Sequence, residues 1–358
     1  MRAYDKDLVS KIREKEYIEV VDGIEILMKP VPDDNRRNVL DPRVLEIAKR
    51  KKAMFSERAK GGFKLSNERY RPDKVTVDLT SKNIECEERL IPIDHNHMID
   101  IFIYRNPDLK EKLPVMIYFH GGGMTAGDMK LYKNQMRLIA ELANAVVVFP
   151  EYRLAPECPY PGPNQDAGGC VRWVNEHADL LNVDCNRLMV AGDSAGGALT
   201  NYCLLKDKAG IIKKAFEIYP GVNWKKADSH WSYDAYPIVE EQKEYAYSRI
   251  DRIKNGMTEN EKESLYLQGK ASFDDPYVSV LYATDEQIKH FPSMVVVASE
   301  YDYLRICNDD YVRKLRGAGV DVKAIRYCGC DHGFFDLLGT IVQAEELCLT
   351  IAEEINRM

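Results

Sequence analysis

A serine between small residues, a run of three glycines, an acid and a histidine stand at four separated points of this 358-residue chain. Gly192-Asp193-Ser194-Ala195-Gly196 fits G-x-S-x-G. A serine hydroxyl is a weak nucleophile, so any chemistry at Ser194 needs a base, a carboxylate to orient that base, and donors for an oxyanion. Each has a candidate. Leu188-Met189-Val190-Ala191 reads as a buried strand before the serine, and the stretch after it reads as a helix from 198 to 208, closed by Gly210. A strand, a glycine turn and a helix lift the hydroxyl above a sheet and point the Ala195 N–H at the reaction.

His120-Gly121-Gly122-Gly123 directly follows the apolar run Val115–Phe119. Glycine leaves the main chain uncovered, so the amides of Gly122 and Gly123, with that of Ala195, suit a tetrahedral oxyanion. A phosphate loop fits worse, because no Gly-Lys-Ser/Thr follows and the spacing is not G-x-G-x-x-G. The acid is Asp302, just past the run Met294–Ala298; Glu300 is the nearest rival, while Asp309 and Asp310 fall inside a helical stretch. The base is His332, in the glycine-flanked loop Cys328-Gly329-Cys330-Asp331-His332-Gly333-Phe334. Cys-x-Cys-x-His also resembles metal ligands, but one such cluster without a second pair is weak, and His95 and His97 read as a hairpin turn. The expectation is therefore no metal. The chain order Ser, Asp, His is that of α/β-hydrolases.

The elements that must position these loops follow from the hydrophobic pattern. From about residue 86, short apolar runs alternate with amphipathic helices at roughly 130–143, 164–178, 196–208, 305–317 and 340–356. Continuous apolar strands between helices imply a mostly parallel sheet covered on both faces. Leu90–Ile93 and Met98–Tyr104 add an antiparallel hairpin. Some seventy residues between Tyr219 and Met294, rich in Tyr, Trp, Lys and Glu, interrupt the rhythm and read as a lid with helices at 239–254 and 259–268. The charge-rich first 70 residues read as largely helical, with a helix starting at Pro42 and a stop at Gly61-Gly62.

Together, His120-Gly121-Gly122-Gly123, Tyr152-Arg153-Leu154-Ala155-Pro156-Glu157, Gly192-Asp193-Ser194-Ala195-Gly196-Gly197 and Asp331-His332-Gly333-Phe334 resemble the α/β-hydrolase superfamily, and within it the hormone-sensitive-lipase-like esterases of bacteria. The resemblance runs from about residue 86 to the C-terminus. It implies an α/β fold with an eight-stranded, mostly parallel sheet, helices on both faces and a helical cap. It implies a triad of Ser194, Asp302 and His332, an oxyanion hole from Gly122, Gly123 and Ala195, and hydrolysis of short-acyl carboxylic esters, acetyl to butyryl, through an acyl-enzyme and with no cofactor. His120 and the Tyr152–Glu157 motif are then architectural. Tyr303 stands where the family often has proline, and the N-terminal part is longer than usual.

The implied organisation is an N-terminal helical cap or extension (1–75), a first core part (76–221), a cap insertion (222–290) and a second core part (291–358). Residues 1–75 fit a cap or a homodimer arm. A net charge of −7 with no basic stripe argues against nucleic acid, and no run of 18 apolar residues suggests a membrane span. An odd count of nine cysteines and a charged N-terminus fit a cytoplasmic protein, and the resemblance implies a small-molecule ester as its partner. Deacetylation of sugars, an amidase or lactonase activity on the same triad, and a non-catalytic ligand-binding role are the alternatives. Trp224, Trp231, Tyr236 and Phe334 are candidates for the pocket wall or for the core.

Overall fold

Strands buried on both faces read as nearly continuous apolar runs, and Val115–Phe119 and Val146–Phe149 are such runs in this chain. In the computed structural model, which describes residues 1–60, 63–71, 74–225 and 231–358, they form the middle of one ten-stranded sheet. The strands are β1 (Tyr17–Val21), β2 (Ile24–Lys29), β3 (Glu85–Pro92), β4 (Met98–Arg105), β5 (Leu113–Phe119), β6 (Val146–Pro150), β7 (Val183–Asp193), β8 (Lys214–Ile218), β9 (Ser293–Tyr301) and β10 (Val322–Asp331). Their order is β1-β2-β10-β9-β8-β7-β5-β6-β4-β3. Every pairing from β2 to β6 is parallel, and β1/β2, β3/β4 and β4/β6 are antiparallel.

Among the described residues eight helices have eight residues or more: α1 (Asp7–Glu14), α2 (Pro42–Lys60), α3 (Met129–Ala143), α4 (Gly162–Glu176), α5 (Ala195–Lys206), α6 (Lys243–Lys254), α7 (Arg305–Gly317) and α8 (Val342–Asn356). Side chains alternate across the sheet. Val115, Ile117 and Phe119 of β5 join one core with Cys170, Val174 and Leu199 of α4 and α5 and Tyr311 of α7. Met116 and Tyr118 join the other, with Met136 and Ile139 of α3 and Leu347 and Ile351 of α8. This is the expected α/β architecture covered on both faces.

The N-terminal expectation needs correction. Residues 1–75 are helical only in part, and the sheet has ten strands, not eight, because residues 17–29 form a hairpin on its β10 edge. The turn is Asp22-Gly23, both at positive φ (47° and 81°), the pattern of a two-residue type I′ hairpin. Ile24, Ile26 and Met28 then face the core, while β2 pairs in parallel with β10, Ile26 opposite Ala324. The hairpin and α1 are tied to α8 by buried carboxylates. Glu346 accepts from Lys29 (3.0 Å), Arg13 (3.1 Å) and the Tyr327 hydroxyl, and Glu345 accepts from Arg2 (2.7 Å). The chain then crosses the C-terminal end of β10, where the Asp41 N–H donates to the Gly329 carbonyl (3.0 Å), and α2 packs on α6. The expected stop at Gly61-Gly62 lies outside the described residues.

The long interval after β8 holds α6, slightly shorter than expected, and a helical stretch at 259–267 that begins with a capping box between Thr258 and Glu261. Both lie beyond the C-terminal ends of the strands, the side on which ligands meet open parallel sheets.

Candidate active site

Ser194 joins β7 to α5 with φ 53° and ψ −115°, a conformation that side chains other than glycine rarely adopt. It is tolerated because Gly192 and Gly196, two positions away on either side, lack side chains. A Cβ on Gly192 would lie 2.4 Å from the Gly196 backbone, and one on Gly196 would lie 1.9 Å from the Phe119 carbonyl oxygen. The turn is held by Ser194 N–H to Ile218 O (2.9 Å) and by the Gly197 and Gly221 amides on the Ser194 carbonyl (3.1 and 2.8 Å).

The three loops expected to supply side chains converge here. His332 Nε2 lies 3.0 Å from Ser194 Oγ, and His332 Nδ1 lies 2.6 Å from Asp302 Oδ2. Facing a carboxylate, Nδ1 carries the proton and donates, which leaves Nε2 to accept from the serine hydroxyl. The second oxygen, Asp302 Oδ1, accepts the Leu304 N–H (2.9 Å). Asp302 is fully buried and His332 only 9% exposed, so bulk water does not screen their contact. The Tyr219 ring packs on the imidazole with centroids 4.6 Å apart. The rival acids are elsewhere. Glu300 accepts the Gly329 N–H (2.7 Å), Asp309 pairs with Arg326, and Asp310 pairs with Arg313.

The glycine loop lies alongside. Gly122 has φ 131° and a Cβ there would stand 2.0 Å from the Ala126 carbonyl oxygen; Gly123 has φ 63°. Their amides and that of Ala195 donate to no acceptor among the described residues. The loop is anchored from below, where the Gly121 N–H donates to Asp193 Oδ1 (2.8 Å). Asp193 also accepts from the Tyr118 (2.9 Å) and Tyr132 (3.0 Å) hydroxyls. Burial and the nearby Asp336 push its carboxyl above the ordinary range, and the three donors oppose that rise. His120 stacks on Tyr152 at 4.2 Å, and burial pushes its pKa down to about 4, so it is a neutral part of the scaffold.

Of the aromatic candidates, Phe334 is core, packed against Tyr327 and Tyr219. Trp224 is buried beside Tyr266, and its Nε1 lies 3.5 Å from where a Gly221 Cβ would be, next to the nucleophile turn. Trp231 packs with Tyr233 and Tyr303. Tyr236 touches the acid itself, its hydroxyl donating to the Asp302 carbonyl (2.9 Å). Sequence reasoning passed over Met257, whose Cε stands 2.8 Å from a Gly123 Cβ position, and over Arg249 and Arg252, which contact Asp331 and the His332 carbonyl. Nothing in the sequence separates those two arginines from the other cations of a Lys/Glu-rich stretch.

Residues 116–336 match a family model described as alpha/beta hydrolase fold. The chain belongs to that family, and within it to the hormone-sensitive-lipase-like esterases. It is 31% identical over 244 residues to esterase LipI of Mycobacterium tuberculosis, covering 67% of this chain and 71% of the relative. It is also 31% identical over 252 residues to versiconal hemiacetal acetate esterase of Dothistroma septosporum, covering 68% and 73%. Among solved structures, the Pyrobaculum calidifontis esterase superposes with a TM-score of 0.68 at 27% identity, covering 89% of this chain and 99% of that one.

Proposed function

We propose that this chain, a carboxylic ester hydrolase by family, works with Ser194 as nucleophile, His332 as general base then acid, and Asp302 as the carboxylate that orients the imidazole. The observation that carries this reading is the continuous relay from Asp302 through His332 to Ser194, with contacts of 2.6 and 3.0 Å, at a strained turn. His332 takes the hydroxyl proton as Ser194 Oγ attacks the ester carbonyl. The oxyanion forms against the amides of Gly122, Gly123 and Ala195. The alcohol leaves with the proton from His332, and water releases the acid by the same route. Asp302, held against Nδ1, stabilises the imidazolium that forms.

The substrate in this proposal is a small ester with a short acyl chain, acetyl to butyryl. Met257 crowds Gly123, and the buried Trp224 closes in beside Gly221, which supports a small acyl site. The fungal relative is named for an acetate ester, which points the same way. Residues 222–290, with α2 laid on α6, act as the cap. No helix among the described residues is long and apolar enough to cross a membrane. All nine cysteines are unpaired, which supports a reducing, cytoplasmic setting. Hydrolysis of p-nitrophenyl esters from acetate to palmitate tests the proposal. The expected profile peaks between acetate and butyrate; a peak at eight carbons or beyond refutes the short-acyl assignment.

A further inference from the structure

We propose that the cap insertion aligns both partners of the nucleophile, with Arg249 and Arg252 of α6 fixing the histidine loop and Tyr236 fixing the acid. The inference rests on the roles proposed above for His332 and Asp302. It makes these three residues positioning residues and catalytic competence a property of the docked cap.

The histidine side comes first. Arg249 and Arg252 are three residues apart and share one face of α6. They grip consecutive residues. The Arg249 guanidinium donates to the Asp331 carboxylate, with both side chains buried, and Arg252 Nη2 donates to the His332 carbonyl at 2.5 Å. The β10 ladder ends at Asp331, opposite Tyr301, and Gly333 follows at φ 82°. His332 therefore sits where strand pairing has stopped and a permissive glycine begins. A charge-assisted bond to its carbonyl takes over from the ladder. Burial, with Arg249 close by, lowers the Arg252 pKa to about 10, which leaves it cationic at neutral pH.

The acid side is stitched in both directions. The Tyr236 hydroxyl donates to the Asp302 carbonyl (2.9 Å), and the Tyr301 hydroxyl donates to the Pro237 carbonyl (3.0 Å). The Arg305 guanidinium donates to the Ala235 carbonyl. The N-terminal segment braces this assembly. Gln242 Oε1 accepts the Leu40 N–H (2.7 Å), the Val239 N–H donates to Asn38 O (2.9 Å), and Lys52 pairs with Glu244. One cap region thus holds the acid loop and the base loop against the same nucleophile.

The test measures kcat, KM and the rate of phosphonate inactivation for wild type, Arg252→Met, Arg252→Lys and Tyr236→Phe, with p-nitrophenyl butyrate as substrate. Misplacement of a reacting group by about 1 Å costs on the order of 100-fold, so Arg252→Met is expected to lose roughly 10- to 100-fold in kcat with KM within about threefold. Arg252→Lys, which keeps a donor and a charge, is expected to recover most of that loss. Tyr236→Phe removes one hydroxyl from a buried ring; it carries the test if Arg252→Met does not fold, and a severalfold fall in kcat is expected. The proposal is overturned if both Arg252→Met and Tyr236→Phe keep wild-type kcat. It is also overturned if the loss falls on KM, or if lysine rescues no better than methionine. A wild type that neither turns over any ester nor takes up phosphonate overturns instead the functional reading beneath it.

Discussion

Gly122→Ala and Gly123→Ala should differ sharply, although they alter adjacent residues of one loop. At Gly122 the φ of 131° lies in a region that is essentially glycine-only, and the added Cβ would stand 2.0 Å from the backbone oxygen of Ala126. Backbone cannot swing aside as a side chain can. Restoring even the closest contact real Cβ atoms make requires a shift of about 1 Å, enough to withdraw the amide from the oxyanion and to cost on the order of 100-fold. Losing one donor outright costs roughly 10²–10³ in kcat, or about 2.7–4 kcal/mol. The expectation for Gly122→Ala is a fall of that size, with KM changing little because the donor acts on the transition state. At Gly123 the φ of 63° is within reach of other residues, and the Cβ meets the Met257 terminal methyl at 2.8 Å and the Thr125 hydroxyl at an ordinary 4.0 Å. A flexible methionine gives way, so about a three- to tenfold fall is expected, less than one donor is worth. The assay is steady-state hydrolysis of p-nitrophenyl butyrate, with circular dichroism to establish folding. Gly122→Ala retaining a third of wild-type kcat, or Gly123→Ala proving the worse of the two, refutes the placement of the oxyanion hole.

Asp302→Asn keeps the shape of the site but presents an amide to His332 Nδ1, favouring the wrong tautomer; kcat should fall on the order of 10⁴-fold, measured with the same ester. Ile26→Ala empties a 2%-exposed position on the added hairpin and should lower stability by about 2–5 kcal/mol in urea unfolding, while kcat of the folded protein holds. Burial raises the Glu354 pKa, but Lys214 and Lys323 outweigh it and hold the carboxyl below the usual range. A depressed folded-state value means stability fully present above the unfolded carboxylate range, about 4.3, and lost as the pH falls through the folded value. Thermal melts between pH 6 and 3 should therefore show a smaller acid loss for Glu354→Gln than for wild type.

The core and the loops of the proposed site were legible because they obey strong local constraints. Strands such as β5 and β6 are buried on both faces and so read as unbroken apolar runs. Gly122, Gly192 and Gly196 stand where any Cβ would collide with backbone, so their loops could be recognised from residue type alone. The β1–β2 hairpin had its own signal, Asp22-Gly23 between Ile18/Val20 and Ile24/Ile26, but Glu19, Glu25 and Lys29 made the segment look like more of the charged helical stretch around it. The cap contacts had no local signal. Arg252 meets a carbonyl 80 residues away, and Tyr236 meets one 66 residues away, so neither partner is implied by spacing.

The most direct test of the account is the stoichiometry and site of modification by a p-nitrophenyl alkylphosphonate, read by intact mass and peptide mapping alongside residual esterase activity. The account expects one adduct per chain, on Ser194, with activity lost in proportion and no adduct on Ser194→Ala. Full activity in Ser194→Ala, or inactivation that tracks an adduct on another residue, would contradict it.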